Sequence, residues 1–236
     1  MQDEHGNIIA KNVEGDEQLI AKYCIEKGAR VLELGARYGS VTYQIAQHAK
    51  HVVAVEPDST VWGALDTNIQ SCKNVTILKG FLSSKPLQLM DHENKYARWG
   101  KEDSNSSSKL FTLDDAETAV GGKFDTLVAD CEGCLPSFLN ENFRIFETVN
   151  TIIYEADRYS DVDYEQVVDI LKNLGFTPSL RGFQNVWTRN RSLSILSRIA
   201  LQFSSSRKVF TILIIVLTVL LGLAIGYYFF KGKQAL

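Results

Sequence analysis

No acidic residue follows Asp169, and the 236-residue chain holds only four cysteines and four histidines. Each scarcity excludes something. Nine basic residues stand after Asp169, so against the overall net charge of −3 the first 169 residues carry −12 and the rest +9. A globally acidic body argues against nucleic-acid binding as the main task, and a basic segment beside apolar sequence points to a membrane. Four cysteines, at positions 24, 72, 131 and 134, form no disulfide framework, and a chain this long needs none. They read as reduced thiols in a reducing compartment. The C-x-x-C of Cys131 and Cys134 lies late in the chain and no second pair completes a zinc site, so it reads as coincidental small buried residues. None of His5, His48, His51 and His92 falls at a catalytic strand end. The opening M-Q-D-E-H-G-N is polar and acidic, unlike a signal peptide, and no internal repeat is present.

What is present is organised around Val31 to Ser40, V-L-E-L-G-A-R-Y-G-S. An apolar run with one carboxylate, Glu33, passes into a glycine-spaced loop and then a helix start. That pattern predicts a buried strand, a loop in which glycine lets backbone approach a ligand, and a helix N-terminus with unpaired N–H groups. A lead-in helix over 1–28 precedes the strand. His51 to Pro57 reads as a second strand ending in Glu56, Val75 to Gly80 as a third, Phe124 to Asp130 and Thr151 to Glu155 as two more, with helices at Val41 to Lys50, Ser59 to Cys72 and Tyr164 to Leu174. Thr177 to Arg181 and Asn185 to Thr188 read as a closing hairpin. Strand–helix alternation at this spacing predicts an α/β domain over 29–190 with parallel pairing and right-handed crossovers. Residues 83–122 are polar and weakly periodic, with a short edge strand at Leu110 to Leu113 and a helical turn at Asp114 to Ala119.

Beyond the domain, 191–208 reads as a basic amphipathic segment, equally consistent with lying on a bilayer or packing on the domain. Residues 209–230 are uncharged. At about 1.5 Å per residue they reach roughly 33 Å, enough to cross a membrane. The basic flank before the span outweighs Lys231 and Lys233 after it, in the short 231–236 tail, so a tail-anchored, cytosol-facing domain is expected. Gly222 and Gly226 form a G-x-x-x-G step that predicts weak homodimer packing of two spans.

The glycine spacing, Gly35-x-x-x-Gly39, is not the G-x-G-x-x-G of a pyrophosphate site. Glu33 suits a cationic amino group, and Glu56 suits a ribose diol, because a carboxylate can accept two hydroxyl hydrogen bonds. An amino acid joined to a ribose describes S-adenosyl-L-methionine. These motifs, with L-V-A-D-C-E-G at Leu127 to Gly133, T-L-D-D at Thr112 to Asp115 and Glu155 in Y-E-A-D, resemble class I S-adenosylmethionine-dependent methyltransferases, in particular the FkbM family. The resemblance covers roughly Leu19 to Arg189.

It implies a Rossmann-like seven-stranded sheet with helices on both faces, and O-methylation of a sugar, glycan or lipid-linked acceptor. Glu33, Gly35, Ala36, Arg37, Gly39, Glu56, Asn68 and Asp130 would bind the cofactor. Asp130 and Glu132 would serve catalysis, and Asp130, Glu132 and Glu155 are candidates for an optional Mg2+. The chain departs from the family pattern at Arg37, where asparagine is usual, and at Leu135, where an acid is usual. Arg37 would recruit an anionic acceptor or pair with Glu33. A membrane-anchored binding module on a degenerate methyltransferase fold, and a protein methyltransferase, are the alternative readings.

Overall fold

The computed structural model describes residues 1–10, 14–91, 97–157, 161–190 and the single positions 194, 197 and 201. The expected span at 209–230, its G-x-x-x-G step and the tail lie outside the described residues, as does His92. Among the described residues no helix is long and apolar enough to cross a membrane.

Helix α1 (Gly15–Cys24) leads in. Strands β1 (Arg30–Leu34), β2 (His51–Glu56) and β3 (Val75–Lys79) alternate with α2 (Ser40–Ala46) and α3 (Trp62–Ile69). After an inserted segment come α4 (Leu113–Val120), β8 (Thr126–Ala129), α5 (Leu135–Glu141), β9 (Thr151–Glu155), α6 (Tyr164–Asn173) and a hairpin of β10 (Thr177–Leu180) and β11 (Gln184–Thr188). One seven-stranded sheet runs in the order β10-β11-β9-β8-β1-β2-β3. The five strands from β9 to β3 are parallel; β11 runs antiparallel to β9 and β10 antiparallel to β11.

The near-continuous apolar strands follow from burial on both faces. Leu32, Leu34, Val53 and Val55 point to a core shared with α4, α5 and α6. Val31, Val52 and Ala54 point to the other core, under α1, α2 and α3. Glu33 is the exception on this second face, a carboxylate only 1% exposed.

Residues 83–122 contain more structure than their weak periodicity predicts. β4 (Phe81–Leu82) pairs in parallel with β7 (Leu110–Phe111), and β5 (Leu87–Asp91) pairs antiparallel with β6 (Arg98–Glu102). The T-L-D-D motif is the start of α4. Thr112 and Asp115 form a reciprocal capping box there, with Asp115 N–H donating to Thr112 Oγ1 at 3.1 Å. Helix α5 is absent from the sequence expectation, because seven residues beginning L-P-S give no helical repeat to read. Of the described positions in 191–208, Ser197 and Leu201 pack on the domain and Ser194 is exposed. Leu201 is buried in the core beneath α1, and Ser197 Oγ donates to the Tyr23 carbonyl. Ser197 and Leu201 therefore face protein.

Candidate active site

The strand order reverses beside β1, and a cavity of about 270 Å³ opens at the carboxyl ends of β1, β2 and β8, where α/β sheets place their ligands. Its floor is the loop after β1. Gly35 sits there at φ +86°, and an added Cβ would lie 1.8 Å from the Asp130 carbonyl oxygen. Glycine at this position is therefore set by the contact with the loop after β8. Gly39 (φ +82°) backs onto Leu65 and Ile69 of α3, so it holds the loop against that helix.

Glu56, at the end of β2, is 5% exposed and organises the cavity's far side. Its Oε2 accepts the Arg37 N–H and its Oε1 the Asp58 N–H, each at 2.7 Å. Two of about four lone-pair positions are used, leaving acceptors for further hydroxyls. Burial pushes its carboxyl up to about 7, against the pull of those two N–H groups. Glu33 is buried so completely that its carboxyl rises to about 8, and its Oε2 has no hydrogen-bond partner. An orphaned buried carboxylate oxygen suits a cationic group, because a charge-assisted hydrogen bond would offset its desolvation.

Asp130 follows β8. Burial and then the charge of Asp157 raise its carboxyl well above the usual range. Glu155, at the end of β9, is pushed up to about 12 by burial and by the Asp130 charge. Asp130, Glu155 and Asp157 bring carboxylate oxygens within 4.8 Å of one another. The carboxylates that cluster closely enough to be candidates for a metal ion are these three, and Glu132, expected beside Asp130 and Glu155, is not among them. Glu132 lines the cavity wall instead, at φ +53°, and Asp157 takes its place because the sheet sets the end of β9 beside that of β8.

Other expectations also change. Arg37 (φ +44°) does not have Glu33 as its ion-pair partner: its guanidinium lies over the Tyr38 ring, 4.6 Å from the centroid. Asn68 faces away from the cavity and ties the N-terminal segment down, its amide donating to the Gln2 and Tyr38 carbonyls at 2.8 and 2.9 Å. Ala36 is buried in the core under α1, α2 and α3 and does not line this cavity. Cys131 and Cys134 are not separate thiols; they form a disulfide in the cavity wall, while Cys24 and Cys72 are not disulfide-bonded.

Sequence reading missed Glu14 and Asp58, and gave Arg98 no partner. Glu14 precedes α1 at φ +54°, accepts from Ser40 Oγ rather than capping the helix, and lines the cavity. Asp58 is buried, accepts from Thr60, and receives Arg98 Nη1 at 3.1 Å, while Arg98 Nε reaches Asp91 at 2.9 Å. Arg98 thus ties the β5–β6 ribbon down over the cavity, a link that spans 40 residues and leaves no local pattern. Trp99, next to Arg98 on β6, is not among the lining residues. Three of the four non-glycine residues with left-handed backbone among the described residues, Glu14, Arg37 and Glu132, line this one cavity. Such residues gather where function over-determines the backbone.

No protein-family model matches the chain. A ribosomal RNA small subunit methyltransferase A of Treponema denticola is 24% identical over 164 residues, 66% of this chain and 55% of that protein. The chain therefore spans little more than half the length of this relative. Among solved structures, the precorrin 8w decarboxylase of Methanobacterium thermoautotrophicum aligns with a TM-score of 0.47 and 15% identity, over 80% of this chain and 98% of the other. A ribosomal protein L11 methylase of Lactobacillus delbrueckii subsp. bulgaricus aligns with a TM-score of 0.46 and 16% identity, over 78% and 81%. The sheet order, the glycine loop after β1 and the cavity at the strands' carboxyl ends together make this the Rossmann-like class I S-adenosylmethionine-dependent methyltransferase fold.

Proposed function

We propose that the chain is a methyltransferase that binds S-adenosylmethionine between Glu33, Gly35, Glu56 and Asp130. The observation that carries this reading is the pair of strand-end carboxylates on either side of the Gly35 loop. One has an orphaned buried oxygen, and the other has open acceptor positions beside two N–H donors. Bound there, S-adenosylmethionine supplies an electrophilic methyl on its sulfonium. Glu33 accepts from the ammonium end and Glu56 from the ribose hydroxyls. Asp130, with its raised carboxyl, orients the acceptor hydroxyl and takes its proton. Asp130 and Glu155 also fit a hard divalent cation, which would hold the acceptor oxygen.

The acceptor is a neutral hydroxyl compound, a sugar or lipid-linked glycan, in keeping with the FkbM-like motifs. Among the described residues the cavity is lined by seven acidic side chains and three basic ones. Of the basic three, Arg98 is tied to Asp58 and Lys85 to Glu102. A wall of that sign repels a phosphate backbone, so the Treponema relative's ribosomal RNA does not suit this site. The departure at Leu135 costs the cavity little, because Leu135 packs into the core while Asp130 and Glu132 stay on the wall. Residues 209–230 anchor the domain on the cytosolic face of a membrane, which motivates the lipid-linked acceptor.

The test is methyl transfer from radiolabelled S-adenosylmethionine by the full chain to fractionated glycans, lipids, proteins and RNA. Label should enter the glycan or lipid fraction, and Asp130→Asn should cut the rate by about 100-fold or more. Label in RNA alone would overturn the acceptor class. Wild-type rates from Asp130→Asn would remove its catalytic role.

A further inference from the structure

The Cys131–Cys134 disulfide closes a ring of four residues, and such short rings restrict the unfolded chain least. A domain of this size does not depend on one for its core. Its position is more informative than its contribution to stability. Cys131, Glu132, Gly133 and Cys134 all line the cavity, and both cysteines are partly exposed. Between them the backbone takes two consecutive left-handed residues, Glu132 at φ +53° and Gly133 at φ +91°. That compact turn brings the two Cα atoms to 5.5 Å, within bonding range for the sulfurs.

The same loop presses on the cofactor loop. A Cβ on Gly35 would lie 3.3 Å from the Cys131 Cα as well as 1.8 Å from the Asp130 carbonyl. Asp130 N–H in turn donates to the Leu34 carbonyl at 3.0 Å. The covalent ring is therefore in direct contact with the loop that carries Gly35 and, next to it, Asp130.

We propose that Cys131 and Cys134 form a reversible thiol–disulfide exchange site whose partner is a thiol reductant, and that its state sets cofactor affinity; the second half rests on the methyltransferase reading above. A thiolate of the reductant attacks one protein sulfur and breaks the Cys131–Cys134 bond, leaving one cysteine as thiolate and a mixed disulfide on the other. A second reductant thiolate attacks the mixed disulfide. Both cysteines end as protonated thiols, and the reductant leaves as its disulfide. The protein gains two electrons and two protons, and the reductant loses them. Without the ring, Glu132 is no longer held in left-handed backbone, which non-glycine residues rarely keep. The turn relaxes, and with it the contact on Gly35 and the placement of Asp130.

The experiment uses the full chain in detergent, equilibrated across reduced-to-oxidised glutathione ratios. Thiols are counted by maleimide mass-tagging, and S-adenosylhomocysteine affinity is measured on the same samples. Two thiols should appear together within the glutathione range and vanish in Cys131→Ser/Cys134→Ser. The oxidised form should bind S-adenosylhomocysteine at least about 5-fold more tightly than the reduced form or the double serine variant. A pair that stays oxidised in excess dithiothreitol, or stays reduced in oxidised glutathione, overturns the exchange site. Equal affinity in both states overturns the coupling. If neither state binds S-adenosylhomocysteine while the two-thiol transition is present, the cofactor reading and the coupling fail together and the exchange site stands.

Discussion

At the scale of single residues, the site is defined by what burial does to carboxylates. Glu33 and Glu56 keep their protons to about pH 8 and 7 in the folded chain, where the unfolded chain would lose them above about 4.5. The folded state therefore holds more protons across that window, and stability falls as pH rises through it. His48 and His51, held down by burial, act in the opposite sense below about pH 6.5. From about pH 6.5 to about 8 the carboxylates decide, and the urea midpoint should drop. S-adenosylhomocysteine, whose ammonium favours the ionised carboxylates, should flatten that drop. A midpoint that rises over this range would contradict the buried, unpaired state of Glu33. Gly35→Ala should be severe, since its Cβ meets backbone at 1.8 Å and its φ is positive. A loss of about 3 kcal/mol or more, or failure to fold, is expected in thermal unfolding. Arg37 occupies a left-handed position that asparagine tolerates better, so Arg37→Asn should melt no lower than the wild type.

At the scale of elements, legibility followed burial. β1, β2, β8 and β9 are apolar because both faces are covered, and they were read from the sequence to within two residues at either end. The β5–β6 ribbon was not read. Leu87 and Leu89 line the cavity, and with Met90 and Trp99 they are the ribbon's only apolar residues, too few and too scattered to mark two strands. Glu33 and Glu56 were legible because each is a lone carboxylate in an apolar run. Asp157 was not, because its neighbour Asp130 comes from the loop after β8, and the tie of Arg98 to Asp58 was not, because the two lie 40 residues apart. The disulfide was unreadable too: spacing alone does not say whether a turn will bring two cysteines together. Two predictions belong at this scale. Thr112→Ala removes the α4 cap and should cost about 1 kcal/mol, a fall of about 2–4 °C in Tm. Arg98→Ala unties the ribbon; its side chain is half-exposed, so stability should change by less than about 1 kcal/mol while S-adenosylhomocysteine affinity falls several-fold. Unchanged affinity would mean that the ribbon does not cover the cofactor.

At the scale of the whole molecule, charge and hydropathy divide the chain into an acidic domain and a basic, apolar end. The proposed span predicts that the full chain resists carbonate extraction from membranes. Leu220→Arg with Leu221→Arg should release it, since each charge at a bilayer centre costs about 2.5–3.5 kcal/mol on insertion scales. The domain should keep its Tm in that variant. The central claim, that the cavity lined by Gly35, Glu56 and Asp130, with Glu33 in the small pocket adjoining it, is a cofactor site, is tested most directly by calorimetric titration of the oxidised full chain with S-adenosylhomocysteine, beside Glu56→Ala. The account predicts saturable heat from one site, weakened at least about tenfold in the variant. An absence of heat from the wild type, or equal affinity in Glu56→Ala, would contradict it.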